Sequence, residues 1–92
     1  MNVKEIKSSQ LIGPTLNDLI VCDSSNEIIL QLSSATGSRG ICYVKNIGSA
    51  DVTITCSDGA TIDGATTKTV SQYSYIKLLD YKTNVWINIS FY

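Results

Sequence analysis

The chain has 92 residues, a formal net charge of −1 and no histidine, and only 16% of its residues are charged against a typical ~25%. This length limits it to one domain with a small core, for which oligomerisation is a usual source of extra stability. The lysines and the single arginine are scattered, so we expect no nucleic acid binding. No apolar run reaches the ~18 residues of a membrane span, so we expect no membrane insertion.

Residues 1–17 are predicted to be an N-terminal lead or attachment segment, with one short strand starting at Val3 and a backbone break at Gly13-Pro14. Charges at Lys4, Glu5 and Lys7 are incompatible with a secretory signal peptide, so we expect synthesis in a cytoplasm. Residues 18–92 are predicted to form the β domain. Its predicted strands are 19–22, 28–32, 41–46, 51–56, 73–80 and 85–89.

The spacing of these runs, about 8–12 residues from one strand to the next, is typical of sandwiches and jelly rolls. No stretch keeps a 3.6-residue apolar period for three turns, so no helix is predicted. The pattern predicts an all-β protein, a small antiparallel β-sandwich or jelly-roll-like domain that oligomerises.

Catalytic chemistry has little support in this sequence. A serine or cysteine nucleophile normally needs an imidazole as its base, and the chain has none. Asp58, Asp63 and Asp80 are the carboxylates that a glycosidase or calcium site would use, but Asp58-Gly59 and Asp63-Gly64 are typical turn pairs. We therefore predict structural turns at these two pairs, no enzyme activity, no catalytic residue and no cofactor.

The three cysteines, Cys22, Cys42 and Cys56, lie far apart in sequence and lack the paired spacing of a zinc site. Cys56 alternates with Val52 and Ile54 onto one face of a predicted strand, which favours a packing role. We predict three reduced, structural thiols that bind no metal. A single disulfide is the alternative, and it is disfavoured by cytoplasmic synthesis.

The last predicted hairpin has two apolar faces. Alternation places Val85, Ile87 and Ile89 on a core face, and it places Trp86 on the opposite face, with Tyr75 and Leu79 of the preceding strand. Such a face is too apolar for free exposure to water. We predict that Tyr75, Leu79 and Trp86 pack in a second core layer or form an oligomer interface. The alternative is an aromatic platform that recognises a sugar ring.

Short sequence motifs lie in five segments of the chain, 40–46, 52–55, 59–64, 75–78 and 84–86. Together they resemble a small β-domain of tailed-bacteriophage structural proteins, found in tail fibres, head fibres, baseplate proteins and capsid decorations. The resemblance covers roughly Asp18 to Ile89, and its most specific parts are the turn that ends at Gly64 and the hairpin that leads to Trp86. That hairpin often contains Asp-Gly-x-x-Trp, whereas this chain has a longer connection without glycine.

The resemblance implies a homotrimeric β-sandwich displayed on a virion. The expected function is that of a head or tail appendage, a fibre or decoration domain, whose partners are other copies of itself, other virion proteins and a host cell-surface glycan. The alternative from a different class is a stand-alone carbohydrate-binding β-sandwich module. The oligomeric mass discriminates between the two, because an appendage is expected to be trimeric and a module monomeric.

Overall fold

A computed structural model describes residues 2–12, 18–57 and 59–90 of the chain. These residues form ten strands and no helix, so no helix among them is long and apolar enough to cross a membrane. The all-β class is confirmed. The strands are β1 (Asn2–Ile6), β2 (Gln10–Ile12), β3 (Asp18–Cys22), β4 (Ile28–Leu32), β5 (Ile41–Asn46), β6 (Val52–Cys56), β7 (Thr61–Ile62), β8 (Thr67–Val70), β9 (Tyr75–Lys82) and β10 (Val85–Asn88).

Two sheets form a small sandwich. The larger sheet has six strands in the order β1-β3-β5-β9-β10-β7, and the smaller has four in the order β2-β4-β6-β8. Up to β6 the chain alternates between the sheets, so that each pair of strands, β1 with β2, β3 with β4 and β5 with β6, forms one rung of a coil. Equivalent strands of successive rungs pair in parallel. The second and third rungs are separated by the same number of residues in both sheets, because Asp18 pairs with Cys42 in the larger sheet and Ile28 pairs with Val52 in the smaller one.

Backbone hydrogen bonds hold the corners of successive rungs together. At one corner the Asp23 N–H donates to the Ile6 carbonyl at 3.1 Å, and the Ile47 N–H donates to the Cys22 carbonyl at 2.9 Å. The approach is close, because a Cβ added to Gly48 would lie 2.4 Å from the backbone nitrogen and oxygen of Ser24. Glycine is therefore required here to let one rung contact the next.

The pairing corrects the expectation of an antiparallel sandwich. Five of the eight strand pairings are parallel, and only β5–β9, β9–β10 and β6–β8 are antiparallel. Strands β1 and β2 belong to the two sheets, so the described part of the predicted lead, residues 2–12, is continuous with the sandwich. Its predicted role in attachment stays a prediction.

The hydrophobic core lies between the sheets, where alternate residues of each strand point inward. In β4 the alternation is complete, with Ile28, Leu30 and Leu32 buried and Ile29 and Gln31 exposed. One contiguous cluster results. Its fully buried side chains include Trp86, Ile28, Leu30, Leu32, Ile54, Ile62, Leu78, Val44, Val52 and Cys22.

Candidate functional site on the outer face of the larger sheet

Trp86 belongs to the core of the domain, and the sequence-based assignment of faces on the last hairpin is wrong. Its side chain is only 2% exposed, and it pairs across the sheet with buried Asp80 on one side and buried Ile62 on the other. The register shifts between Val85 and Trp86, which is the mark of a β-bulge. Trp86 therefore cannot form one surface with Tyr75 and Leu79, and it cannot act as a sugar platform.

The predicted core face of that hairpin, in contrast, is half-buried and faces away from the core. Val85, Ile87 and Ile89 are all partly exposed, and Ile87 pairs with Leu79 of β9. The structure thus keeps Tyr75 and Leu79 on an outer surface, as predicted, but replaces Trp86 there by Ile87.

This surface, which we call the outer face, is built from cross-strand rows of the larger sheet. One row joins Ile41, Leu79 and Ile87 across β5, β9 and β10. The other rows are Leu19–Tyr43–Lys77 and Val21–Lys45–Tyr75. Every residue in the three rows is half-buried by neighbouring side chains, and no second layer covers the rows among the described residues.

The two lysines of the outer face lie close to tyrosines. The Lys77 ammonium nitrogen lies 5.2 Å from the ring centroid of Tyr43, a cation–π distance. The Lys45 ammonium group donates a hydrogen bond of 2.7 Å to the Tyr73 carbonyl. Their charges are thus held at the ends of apolar stems, and most of the face is aliphatic or aromatic. It is the type of surface that a soluble protein covers with a partner.

Asp80 clamps the loop before β5 onto β9. Asp80 is only 5% exposed. Its two carboxylate oxygens accept five hydrogen bonds of 2.7–3.3 Å. The donors are the backbone N–H groups of Thr36, Gly37 and Ser38 and the hydroxyls of Thr36 and Ser38. Burial by itself raises the pKa of Asp80, but the bonds from Ser38, Gly37 and Thr36 outweigh it, so the pKa is lowered overall. Both carboxylate oxygens are thus occupied by hydrogen bonds from the loop, so the carboxylate has a structural role.

Asp80 was one of the three carboxylates considered for catalysis, and its actual role has a signal in the sequence. It follows Ile76 and Leu78 at alternate positions of one strand, so it is in phase with core residues. Asp18 and Asn46 occupy similar positions in β3 and β5. A polar residue at a core-facing position of a strand is expected to be buried and to have its own hydrogen-bond partners.

The predicted turn at Asp63-Gly64 is confirmed. Both residues have positive φ, 51° and 82°, as a type I′ turn requires. Ile62 and Ala65 exchange two backbone hydrogen bonds across it, of 2.7 and 2.9 Å. Gly59 also lies in a turn with positive φ, 76°, while Asp58 lies outside the described residues. The Asp63 carboxylate accepts a bond of 3.2 Å from the Asn88 N–H, which links the turn to β10.

All three thiols are free, and Cys22 and Cys42 are fully buried. Burial raises the pKa of Cys22 to about 11 and, together with the nearby Asp18 carboxylate, that of Cys42 to about 12. Half-buried Cys56 packs against the core, and burial raises its pKa too. Thiols with raised pKa values are poor nucleophiles. Within the described ranges no group of three or more cysteine, aspartate or glutamate side chains could hold a metal ion.

A cavity of about 90 Å³ opens at the first rung, between β1 and β2. The Lys4 ammonium group lies 3.4 Å from the carboxylate of Asp18, whose side chain is 1% exposed, and the Asn2 amide donates to the same carboxylate at 3.5 Å. The remaining wall is mostly aliphatic, formed by Ile6, Leu11, Ile12 and Ile20 with Gln10. These contacts satisfy a buried acid at the end of the coil.

Comparisons of this chain with protein-family models, with curated proteins and with solved structures give no match.

Proposed function

We propose that the chain is a structural protein of a bacteriophage virion, a non-enzymatic head or tail appendage that forms a homotrimer through the outer face of its larger sheet. The observation that carries the proposal is the outer face itself. Its apolar rows, exemplified by Ile41–Leu79–Ile87, lie on a subunit whose own core is small. Covering such rows adds buried apolar area, at roughly 25 cal/mol per Å².

The resemblance supports the virion context and the trimeric state. The segment that carries its most specific motif, the turn ending at Gly64, has the tight geometry that the motif suggests. The motif strands from Ile41 to Asn46 and from Tyr75 to Leu78 are adjacent in the larger sheet and contribute its outer face. Two of the motif segments therefore contribute to the surface that we propose as the interface.

The mass of the assembly tests the proposal. We expect sedimentation equilibrium at micromolar concentration to give about three times the subunit mass of 10.0 kDa. Leu79→Asp places a charge in the centre of the outer face and should yield a folded monomer. Ile29→Asp is the matched control, because Ile29 is 45% exposed on the smaller sheet and should tolerate the same change.

A wild-type protein that sediments as a single species at monomer mass would contradict the proposed assembly. Equal effects of Leu79→Asp and Ile29→Asp would contradict the assignment of the interface to the outer face. Mass spectrometry and immunogold labelling of purified phage particles test the location on a virion, and a protein missing from the particles would overturn it.

The second candidate is a stand-alone carbohydrate-binding module, and it must use an aromatic other than Trp86. Tyr73 is 68% exposed and Tyr81 is 37% exposed, so both can present a ring to solvent. A monomer that binds sugars with the outer face uncovered would favour this candidate over the appendage.

A further inference from the structure

A second surface is built at one end of the larger sheet, beside the Asp80 clamp. It consists of Arg39, Tyr81 and Lys82, which are all exposed and which we call the basic aromatic cluster. The Arg39 guanidinium carbon lies 4.9 Å from the ring centroid of Tyr81, and the Lys82 ammonium nitrogen lies 5.8 Å from the same centroid. Two cations thus share one exposed ring.

The backbone that carries this cluster is held rigidly. The Arg39 N–H donates to the Asp80 carbonyl at 2.9 Å, and the Asp80 N–H donates to the Gly40 carbonyl at 2.9 Å. Arg39 has a φ of 67°, in the left-handed region that a branched or long side chain rarely adopts. Such strain persists only where surrounding contacts impose it, and here the five bonds to the Asp80 carboxylate do so.

Both cations are available for a ligand. Neither Arg39 nor Lys82 forms an ion pair with a carboxylate among the described residues, whereas Lys4 and Lys7 do. A guanidinium offers planar N–H donors that match a carboxylate or sulfate in two parallel bonds. The adjacent tyrosine ring offers an apolar surface to the C–H face of a sugar.

We propose that the basic aromatic cluster binds an acidic sugar residue, one that carries a carboxylate or sulfate on a pyranose ring. Arg39 and Lys82 engage the anionic group, and Tyr81 stacks against the ring. The cluster is too small for a nucleic acid strand, which needs a track of cations along its phosphates. The inference deepens the proposed contact of the appendage with a host surface and rests on that function for the origin of the sugar.

The test is isothermal titration of the assembled protein with three acidic oligosaccharides and their neutral counterparts. The pairs are an oligogalacturonate with its methyl ester, a sulfated galactan oligosaccharide with its desulfated form, and sialyllactose with lactose. We expect at least one acidic member to bind more tightly than its counterpart, with affinity falling as salt rises.

The variants Arg39→Gln and Lys82→Gln should each weaken that binding about tenfold, which is the effect of losing one charge-assisted hydrogen bond. Tyr81→Leu should weaken it as well. Lys7→Gln is the matched control, because it removes one charge from an exposed side chain at a different corner and should leave the affinity unchanged. Circular dichroism checks that every variant is folded.

The inference is overturned if no acidic oligosaccharide binds, if acidic and neutral members bind equally, or if Lys7→Gln weakens binding as much as Lys82→Gln. Tighter binding of a single-stranded oligonucleotide than of any sugar also overturns it. Sedimentation of the same samples reports the trimer separately, so a failure of sugar binding and a failure of the proposed assembly are distinguishable.

Discussion

Replacing Asp80 by asparagine tests the clamp between the loop before β5 and the larger sheet. One carboxylate oxygen accepts the backbone N–H groups of Thr36 and Gly37, at 2.9 and 2.8 Å, and asparagine can keep both bonds with its amide oxygen. The other oxygen accepts the Ser38 N–H and the hydroxyls of Thr36 and Ser38. The hydroxyls can rotate and accept from the new amide group, but the Ser38 N–H is left without an acceptor.

The expected cost follows from these contacts. Hydrogen bonds to a charged group contribute about 1.5–3 kcal/mol each, against about 0.5–1.5 kcal/mol for neutral partners, and one N–H loses its partner altogether. Asp80→Asn should therefore reduce the free energy of unfolding by about 2–4 kcal/mol, a large fraction of the stability of a small domain. Urea denaturation at pH 7 measures it. Asp51→Asn, at an exposed carboxylate, is the matched control and should stay within about 0.5 kcal/mol of the wild type.

The pH dependence provides the decisive check. Because the pKa of Asp80 is lowered in the folded state from its usual 3.8, the carboxylate contributes stability above that pH and loses the contribution as the pH falls through the lower folded value. The difference between wild type and Asp80→Asn should shrink steadily as the pH is lowered below about 4. A difference that is the same at pH 7 and in acid would refute the role assigned to this carboxylate.

Three further predictions concern the core. Trp86→Ala should reduce the free energy of unfolding by about 3–5 kcal/mol, because it empties a fully buried site. In the wild type, the fluorescence of this single tryptophan should resist quenching by acrylamide. Ready quenching in the folded protein would place Trp86 on the surface instead. In the folded protein at pH 8, Ellman's reagent should react with Cys56 alone, since Cys22 and Cys42 are buried thiols with pKa values of about 11 and 12. Three thiols that react at one rate would contradict that burial. Stability should also fall as the pH rises above the ordinary thiol value of 9.0 toward these folded values, because the unfolded thiols then ionise first.

The positions of most strands were predictable from the sequence. Buried residues alternate with more exposed ones along the whole of β4 and β5, and the predicted bounds 28–32 and 41–46 are those observed. Strand β8 was not predicted, because Thr67, Lys68 and Thr69 are polar and Val70 is its one fully buried residue. An edge strand of this kind has too little apolar content to be recognised by periodicity.

The pairing of the strands was not predictable from local patterns. Asp23, Ser24, Ser25 and Asn26 have the chemistry of a hairpin turn, yet they connect β3 to β4 in the opposite sheet. A short polar connection satisfies its own backbone in both arrangements, so its composition does not distinguish a hairpin from a corner. The parallel coil depends instead on contacts between residues a whole rung apart, such as Asp18 with Cys42.

The outer face was predicted in part. Tyr75 and Leu79 are where strict alternation in β9 places them. Trp86 is not, because the bulge beside Val85 inverts the phase of the last strand relative to its neighbour. A bulge depends on how two strands meet, and no single strand encodes it. The basic aromatic cluster was missed for a similar reason, since Arg39 reaches Tyr81 only through the clamp formed by Asp80.

The charged contact at the first rung has a consequence for how copies of this chain can associate. Lys4 pairs with buried Ile20 and so lies on the core-facing side of β1, the edge strand of the larger sheet, where its exposed side chain contacts Asp18. A second coil stacked end to end on β1 would enclose that ammonium group and remove its water. Inward charges of this kind protect exposed strand edges from continued pairing. Growth into open filaments is thereby disfavoured, and closed assemblies through sheet faces are the arrangement that this edge permits.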